Sequence, residues 1–195
     1  MNPRIPSSAA EELFALQIAQ LKHDEFYHRE IARLTVHARL NHMALHFAKY
    51  VGQIATAIES NDQPLIRRII TDTFVIALSS ANTLNLSLGT AIGLARDARS
   101  LSELGGVLAK AINRPNSLLL SLAVPTGQIA RACEKLDHVE GFPFRETIAE
   151  GIISICEAVI VGAHDHDFDL PSSVRDRFRE IEPKYIFHPV EHLRP

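Results

Sequence analysis

The sequence predicts an all-α fold, an antiparallel helical bundle built from two repeated helical hairpins. Aromatic residues are only 6% of the chain and no segment alternates strictly between apolar and polar residues, so strand signals are nearly absent. Apolar residues instead recur at helical spacing along most of the length. One stretch also repeats further along the chain, with the helices in the same order.

The elements follow in order. Ser7 or Ser8 can cap a first helix, with Glu11 and Glu12 in its first turn. Leu13, Leu16, Ile18 and Leu21 predict its apolar face. A second helix is expected from about Tyr27 to Ile58, with Ile31, Leu34, Leu40, Leu45, Ala48 and Ile54 on or near one stripe. The polar run Glu59 to Gln63 ends it, and Pro64 suits the first turn of a helix reaching about Leu84. Short helices are expected near 90–100 and 101–112, then a turn at Asn113-Arg114-Pro115-Asn116. Two long helices cover about 117–135 and 145–163. A polar loop from His164 to Asp169 leads to a last helix, Pro171 to Ile181, and an extended tail from Pro183.

Size and composition narrow the function. A chain of 195 residues allows one domain, or two small units sharing one core. Lys and Arg number 20 against 23 Asp and Glu, which argues against a nucleic-acid polymer as partner. The start has no apolar run of signal-peptide type. The most apolar stretch, Gly151 to Ala163, carries Glu157 and is shorter than the ~20 residues of a membrane span. A soluble, cytoplasmic protein is expected, with no membrane partner. Cys133 and Cys156 read as free core thiols of a reducing compartment.

Residues 41–62 (NHMALHFAKYVGQIATAIESND) lie on 116–137 (NSLLLSLAVPTGQIARACEKLD) without a gap, at an offset of 75. Both share Gly-Gln-Ile-Ala. With a three-residue insertion the next helix aligns too, setting Arg67 on Arg145, Ile70 on Ile148 and Asp72 on Glu150. Neither hairpin can bury both faces alone, so the two copies are expected to pack together as about four long helices. Three segments result: an N-terminal helical part, 1–40; a first repeat, 41–112; and a second repeat with the tail, 113–195.

The second copy, Leu118 to Ala130, resembles the first long helix of the MazG-like all-α nucleotide pyrophosphatases, which carry an apolar run and then Glu-x-Gly-Glu-Leu-Ala. Asp169-Leu170-Pro171-Ser172-Ser173-Val174 is similar to their Asp-Leu-Pro-x-x-Val segment, and Tyr185 falls where they often carry a tyrosine. The resemblance covers about 116–185 well and 41–95 more weakly. It implies four acids, Glu-x-x-Glu on one helix and Glu-x-x-Asp on the next, that bind Mg²⁺. The ion holds a nucleoside triphosphate and activates water, giving a monophosphate and pyrophosphate.

This chain departs from that pattern. In the second copy the acid positions hold Pro125, Gln128, Thr147 and Glu150, with Glu146 one place off. In the first they hold Tyr50, Gln53, Ile69 and Asp72. The family's lysine becomes Arg177 in the second copy and Ala95 in the first. One carboxylate per copy grips Mg²⁺ weakly, by roughly a thousandfold or more. The expectation is a degenerate, MazG-like protein that binds nucleotides or serves as a helical interaction module, and forms a homo-oligomer.

An active enzyme with a rearranged site is the alternative. Its catalytic residues would be Glu150, Glu146 and Asp72, perhaps with Glu59 and Glu134; Asp72 and Glu150 would hold Mg²⁺; Gln53, Gln128, Arg67, Arg145 and Arg177 would bind substrate. A third reading is a transition-metal site on His42 and His46, one helical turn apart, with His37, Asp24 and His28 nearby in sequence. The same two histidines can equally be ordinary members of an amphipathic helix. The stretch His164 to Asp169 is rich in ligand types, but lacks the Gly turn of a calcium loop and reads as solvated, with Asp169 capping the last helix. Arg67, Arg68, Arg145 and Arg177 read as phosphate contacts or as a salt-bridged surface.

Overall fold

The computed structural model describes residues 6–93, 97–111 and 117–184, and among them every regular element is helical. The first helix, α1 (Ala9–Tyr27), opens where Ser8 Oγ accepts the Glu11 backbone N–H. A single turn, α2 (Arg29–Ala32), follows. Thr35 caps α3 (Val36–Glu59), and Asp62 caps α4 (Gln63–Thr83), with Pro64 in its first turn. A π-helical turn, Gly89–Gly93, precedes α5 (Leu101–Ala111). Ser117 caps α6 (Leu118–Asp137), α7 (Phe144–Asp165) returns beside it, and Asp169 caps α8 (Leu170–Ile181). A 3₁₀ turn, Glu182–Lys184, ends the described chain. The Asn113–Asn116 turn, Ala95 and Tyr185 lie outside the described residues.

Two expectations need correction. The single helix from Tyr27 to Ile58 is broken. His28 leaves helical geometry at φ −130°, and Thr35 accepts the Ala38 N–H, which sets the start of α3 at Val36. The helix near 90–100 is represented by the π turn, where Gly89 packs so closely on α1 that a Cβ would lie 2.6 Å from the Ala10 carbonyl oxygen.

The four long helices form an antiparallel ring. The hairpin α3–α4 packs on the hairpin α6–α7, with α3 against α6 and α4 against α7. Opposite directions are visible in the end contacts. Asn41 near the start of α3 reaches Asp137 at the end of α6, and Gln63 at the start of α4 meets His166 just past α7. Phe47, Ile54, Ile70, Phe74, Leu78, Ile129, Ile152 and Ile155 fill the centre. Gly151 and Gly162 let α7 approach closely: side chains of Ile129, Leu118 and Ile70 occupy the space a Cβ would take. Helix α7 is the one described helix long and apolar enough by composition to cross a membrane. Here it is the core helix, with α4, α5 and α6 packed around it.

Each long helix closes the same way. Asn61, Asn85, Val139 and Asp167 take left-handed φ of 52°, 52°, 56° and 49°. The residue after each donates five residues back, to the carbonyls of Ala57, Ala81, Lys135 and Ala163. Asn and Asp tolerate this backbone, whereas a β-branched residue is strained there by about 1–2 kcal/mol. Val139 is also 89% exposed, so its side chain contributes little packing. Val139→Gly is therefore expected to stabilise the fold by about 1 kcal/mol in urea denaturation, while Ile70→Ala, in the fully buried core, costs about 2–5 kcal/mol.

Candidate functional site

Helix α1 turns a polar face inward. Gln17, Gln20, His23 and Asp24 are buried at helical spacing, while Ile18 and Leu21, expected on the apolar face, are 37% and 40% exposed. Gln17 accepts the Leu88 backbone N–H at 2.9 Å and donates to Asn82 Oδ1 at 3.1 Å and the Leu86 carbonyl at 2.8 Å, which ties α1 to the end of α4. Asp24 accepts hydrogen bonds from three side chains: Gln20 Nε2 at 2.8 Å, Arg39 Nη2 at 3.0 Å and Ser79 Oγ at 2.5 Å. Arg39 also donates to Ser79 Oγ at 3.1 Å.

A second polar cluster sits two turns away along the same face of α4. Arg177 donates from Nε to Asp72 Oδ1 at 2.6 Å and from Nη2 to Oδ2 at 3.4 Å. Arg68 Nε stands 3.7 Å from Asp72 Oδ2, and Glu180 pairs with both arginines at 3.1 and 3.2 Å. Burial and the nearby Asp72 push the Tyr50 hydroxyl up to about 12. Between α4 and α8, Arg67, Arg68, Arg177, Thr71 and Ser173, with the carboxylates of Asp176 and Glu180, line an open cleft of about 330 Å³. Arg67 lies over the Phe168 ring, with 5.9 Å to the centroid.

The residues of the expected acid site do not gather there. Gln53, Gln128, Glu146 and Glu150 are all exposed, as are Glu59 and Glu134. Gly151 packs on Ile129, so Glu150 and Gln128 stand at one level of the α6–α7 hairpin. Asp72 is near Ile70, which packs on Gly162. About three turns of α7, roughly 18 Å of rise, separate that level from Glu150. Asp72 and Glu150 thus stand too far apart along the bundle to ligate one Mg²⁺, whose ligands lie at about 2.1 Å. Arg145, matched in sequence to Arg67, instead donates to the Leu84 carbonyl at 2.6 Å and closes the end of α4.

His42 and His46 do come together, with Nε2 atoms 3.1 Å apart. Lys49 Nζ is 3.2 Å from His46 Nδ1, which makes Nδ1 the acceptor and leaves the proton on Nε2 for His42. His37 instead pairs with Asp137 at 2.7 Å, at the end of α6. The stretch 164–169 finishes α7 and caps α8, Asp169 accepting the Ser172 N–H at 2.9 Å. Cys133 and Cys156 are buried and unpaired with each other; burial raises both thiols, Cys133 to about 11, so neither is a nucleophile at neutral pH.

Two predictions follow from these groups. Asp24→Asn leaves the Arg39 guanidinium buried without its counter-charge, and is expected to cost about 3 kcal/mol or more in denaturant titration. Replacing both residues with apolar ones of similar volume recovers much of the loss. For His46, burial, Lys49 and His42 lower the pKa from 6.5 to about 4, with Asp72 pulling the other way. The unfolded chain therefore takes up this proton first. The His46 contribution to stability is intact above pH 6.5 and falls as pH drops from about 6.5 towards 4. His46→Gln should flatten that part of the stability–pH curve.

The chain matches no protein-family model, no curated protein and no solved structure.

Proposed function

We propose that this chain is a MazG-like helical protein that works by binding rather than by magnesium-dependent hydrolysis, with the α4–α8 cleft as its site for the phosphates of a nucleotide. The observation that carries this reading is the state of Asp72. The acid that the resemblance assigns to the metal is held by Arg177 through two hydrogen bonds and flanked by Arg68. Its charge is already neutralised by cations belonging to the chain. The exposed Gln53, Gln128, Glu146 and Glu150 support the same reading, since they offer no shared pocket for an ion.

The cleft offers donors of the kind that bind phosphate. Guanidinium groups bind phosphate oxygens through paired N–H donors, and the Ser173 hydroxyl adds a neutral donor at the wall, while the Thr71 hydroxyl is spent on the Arg67 carbonyl. Arg67 is the member best placed to receive an incoming anion, because among the described residues no carboxylate pairs with it. Arg68 and Arg177 share Asp72 and Glu180, so they supply a weaker net field.

Isothermal titration with nucleoside triphosphates, with and without Mg²⁺, tests the reading. Binding that does not require Mg²⁺ and weakens about tenfold or more in Arg67→Gln is expected. Pyrophosphate release should be absent and Glu150→Gln should change nothing. Pyrophosphate release that Glu150→Gln abolishes would establish the enzyme with a rearranged site. Absence of heat with every nucleotide would leave a helical interaction module.

A further inference from the structure

We propose that His23, Asp24 and His28 form a binding site for a divalent transition ion of the zinc class, at the junction of α1, α2 and α8. The site is independent of the nucleotide reading. Its ligand-type atoms all lie within 4.8 Å of one another, and no other group of three His, Cys, Asp or Glu side chains among the described residues does so.

The first argument is His23 itself. The residue is 6% exposed, and neither ring nitrogen has a hydrogen-bond partner. A neutral imidazole carries one N–H and one lone pair, and leaving each unmet costs about 1–3 kcal/mol. Packing alone does not call for a histidine here. The ring stacks on Phe178 at 4.4 Å and sits 4.8 Å from Tyr27, contacts that a phenylalanine would make as well. Gln20 Oε1, one turn earlier on α1, is a second buried acceptor without a donor. An unmet lone pair on a buried ring nitrogen is what a bound cation would satisfy.

The second argument is how the chain assembles the three ligands. Asp24 and His28 are four residues apart and share a helical face. His23 is one and five residues from them, and it joins them where α1 ends: His28 leaves helical geometry, and its ring lies 5.5 Å from that of His23. Asp24 is already ion-paired: Arg39 and Ser79 occupy its Oδ2, while Oδ1 meets only the neutral Gln20 amide and keeps a lone pair for an ion that, unlike one at Asp72, would also have two imidazoles. Glu30 Oε1 stands 3.8 Å from His28 Nδ1 and adds another carboxylate beside the site.

Two imidazoles and one carboxylate suit Zn²⁺, Co²⁺, Ni²⁺ or Fe²⁺ and not Mg²⁺. Ligands on tetrahedral zinc stand about 3.3 Å apart, so the widest of the three separations would close by about 1.5 Å. The half-exposed His28 ring leaves the ion a route to solvent.

The test uses the full chain stripped of metal with a chelator, titrated with zinc sulfate by calorimetry and with Co²⁺ by visible absorption. One Zn²⁺ per chain and the intense visible bands of tetrahedral Co²⁺ are expected. His28→Ala, at a half-exposed position, should weaken zinc more than about a hundredfold, beyond what losing a mere outer partner costs. His23→Phe keeps the stacking on Phe178 and should abolish the cobalt bands, while His138→Gln, at the exposed end of α6, should leave both signals intact. Absence of saturable binding overturns the proposal. So does binding that survives both His28→Ala and His23→Phe, or binding lost in His42→Gln but kept in His28→Ala.

Discussion

A carboxylate that has almost no access to water governs how the N-terminal part of this protein is arranged. Asp24 cannot be buried as an ion unless its oxygens are met, and the groups that meet them come from α1, α3 and α4. Arg39 can satisfy Asp24 and Ser79 together only if α3 begins near Val36, and Ser79 only if α4 is in register with it. An apolar contact tolerates sliding by half a turn. A bonded ion pair of this kind does not, since any slip leaves a charge unpaired in a dry place.

The ring of α3, α4, α6 and α7 is joined by close apolar packing, aided by Gly151 and Gly162, and would accept hydrophobic exchanges of similar volume. Helices α1 and α8 also bury apolar residues, among them Leu13, Leu16, Val174 and Phe178, and add polar ties: Gln17 with Asn82 and Leu86, Asp24 with Ser79, Asp72 with Arg177. Directional bonds define where those helices sit, and the candidate binding groups lie along that polar attachment. Function is read there because buried polar atoms are costly unless they do something that apolar ones cannot.

The bundle is legible in the sequence because the ring helices carry ordinary apolar stripes, and Asp62 and Ser117 accept a backbone N–H at the starts of α4 and α6. Helix α7 starts after Pro143 with no side-chain cap, and the apolar stripe running on from Tyr27 hides the Thr35 cap of α3. Helix α1 was misread for a definite reason. Its apolar and polar residues are spread almost evenly around the axis, and the reading that apolar faces turn inward placed Ile18 and Leu21 in the core. The counter-signal was present, since Gln17, Gln20, His23 and Asp24 share one face at helical spacing. Only their partners on distant helices, Arg39, Ser79 and Phe178, make that face an inner one. Likewise Asp72 stood out as an acid, but the α8 arginine that engages it is 105 residues away in sequence.

That pairing bears on whether a dication can return to Asp72. Arg177 is tethered and largely buried at 17% exposure, so it occupies the carboxylate at no cost in translational freedom. An incoming Mg²⁺ would have to give up part of its hydration shell and also displace a guanidinium bonded through two nitrogens. The released arginine would remain next to the ion, with Arg68 close by, and like charges a few ångströms apart repel by several kcal/mol at the effective dielectric of a protein surface. A single carboxylate gains too little from the exchange to offset these terms. On the proposed reading, the pocket passed from holding a mobile cation to being cross-linked by a fixed one. The cation left to meet an anion there is Arg67, which needs no metal as intermediary.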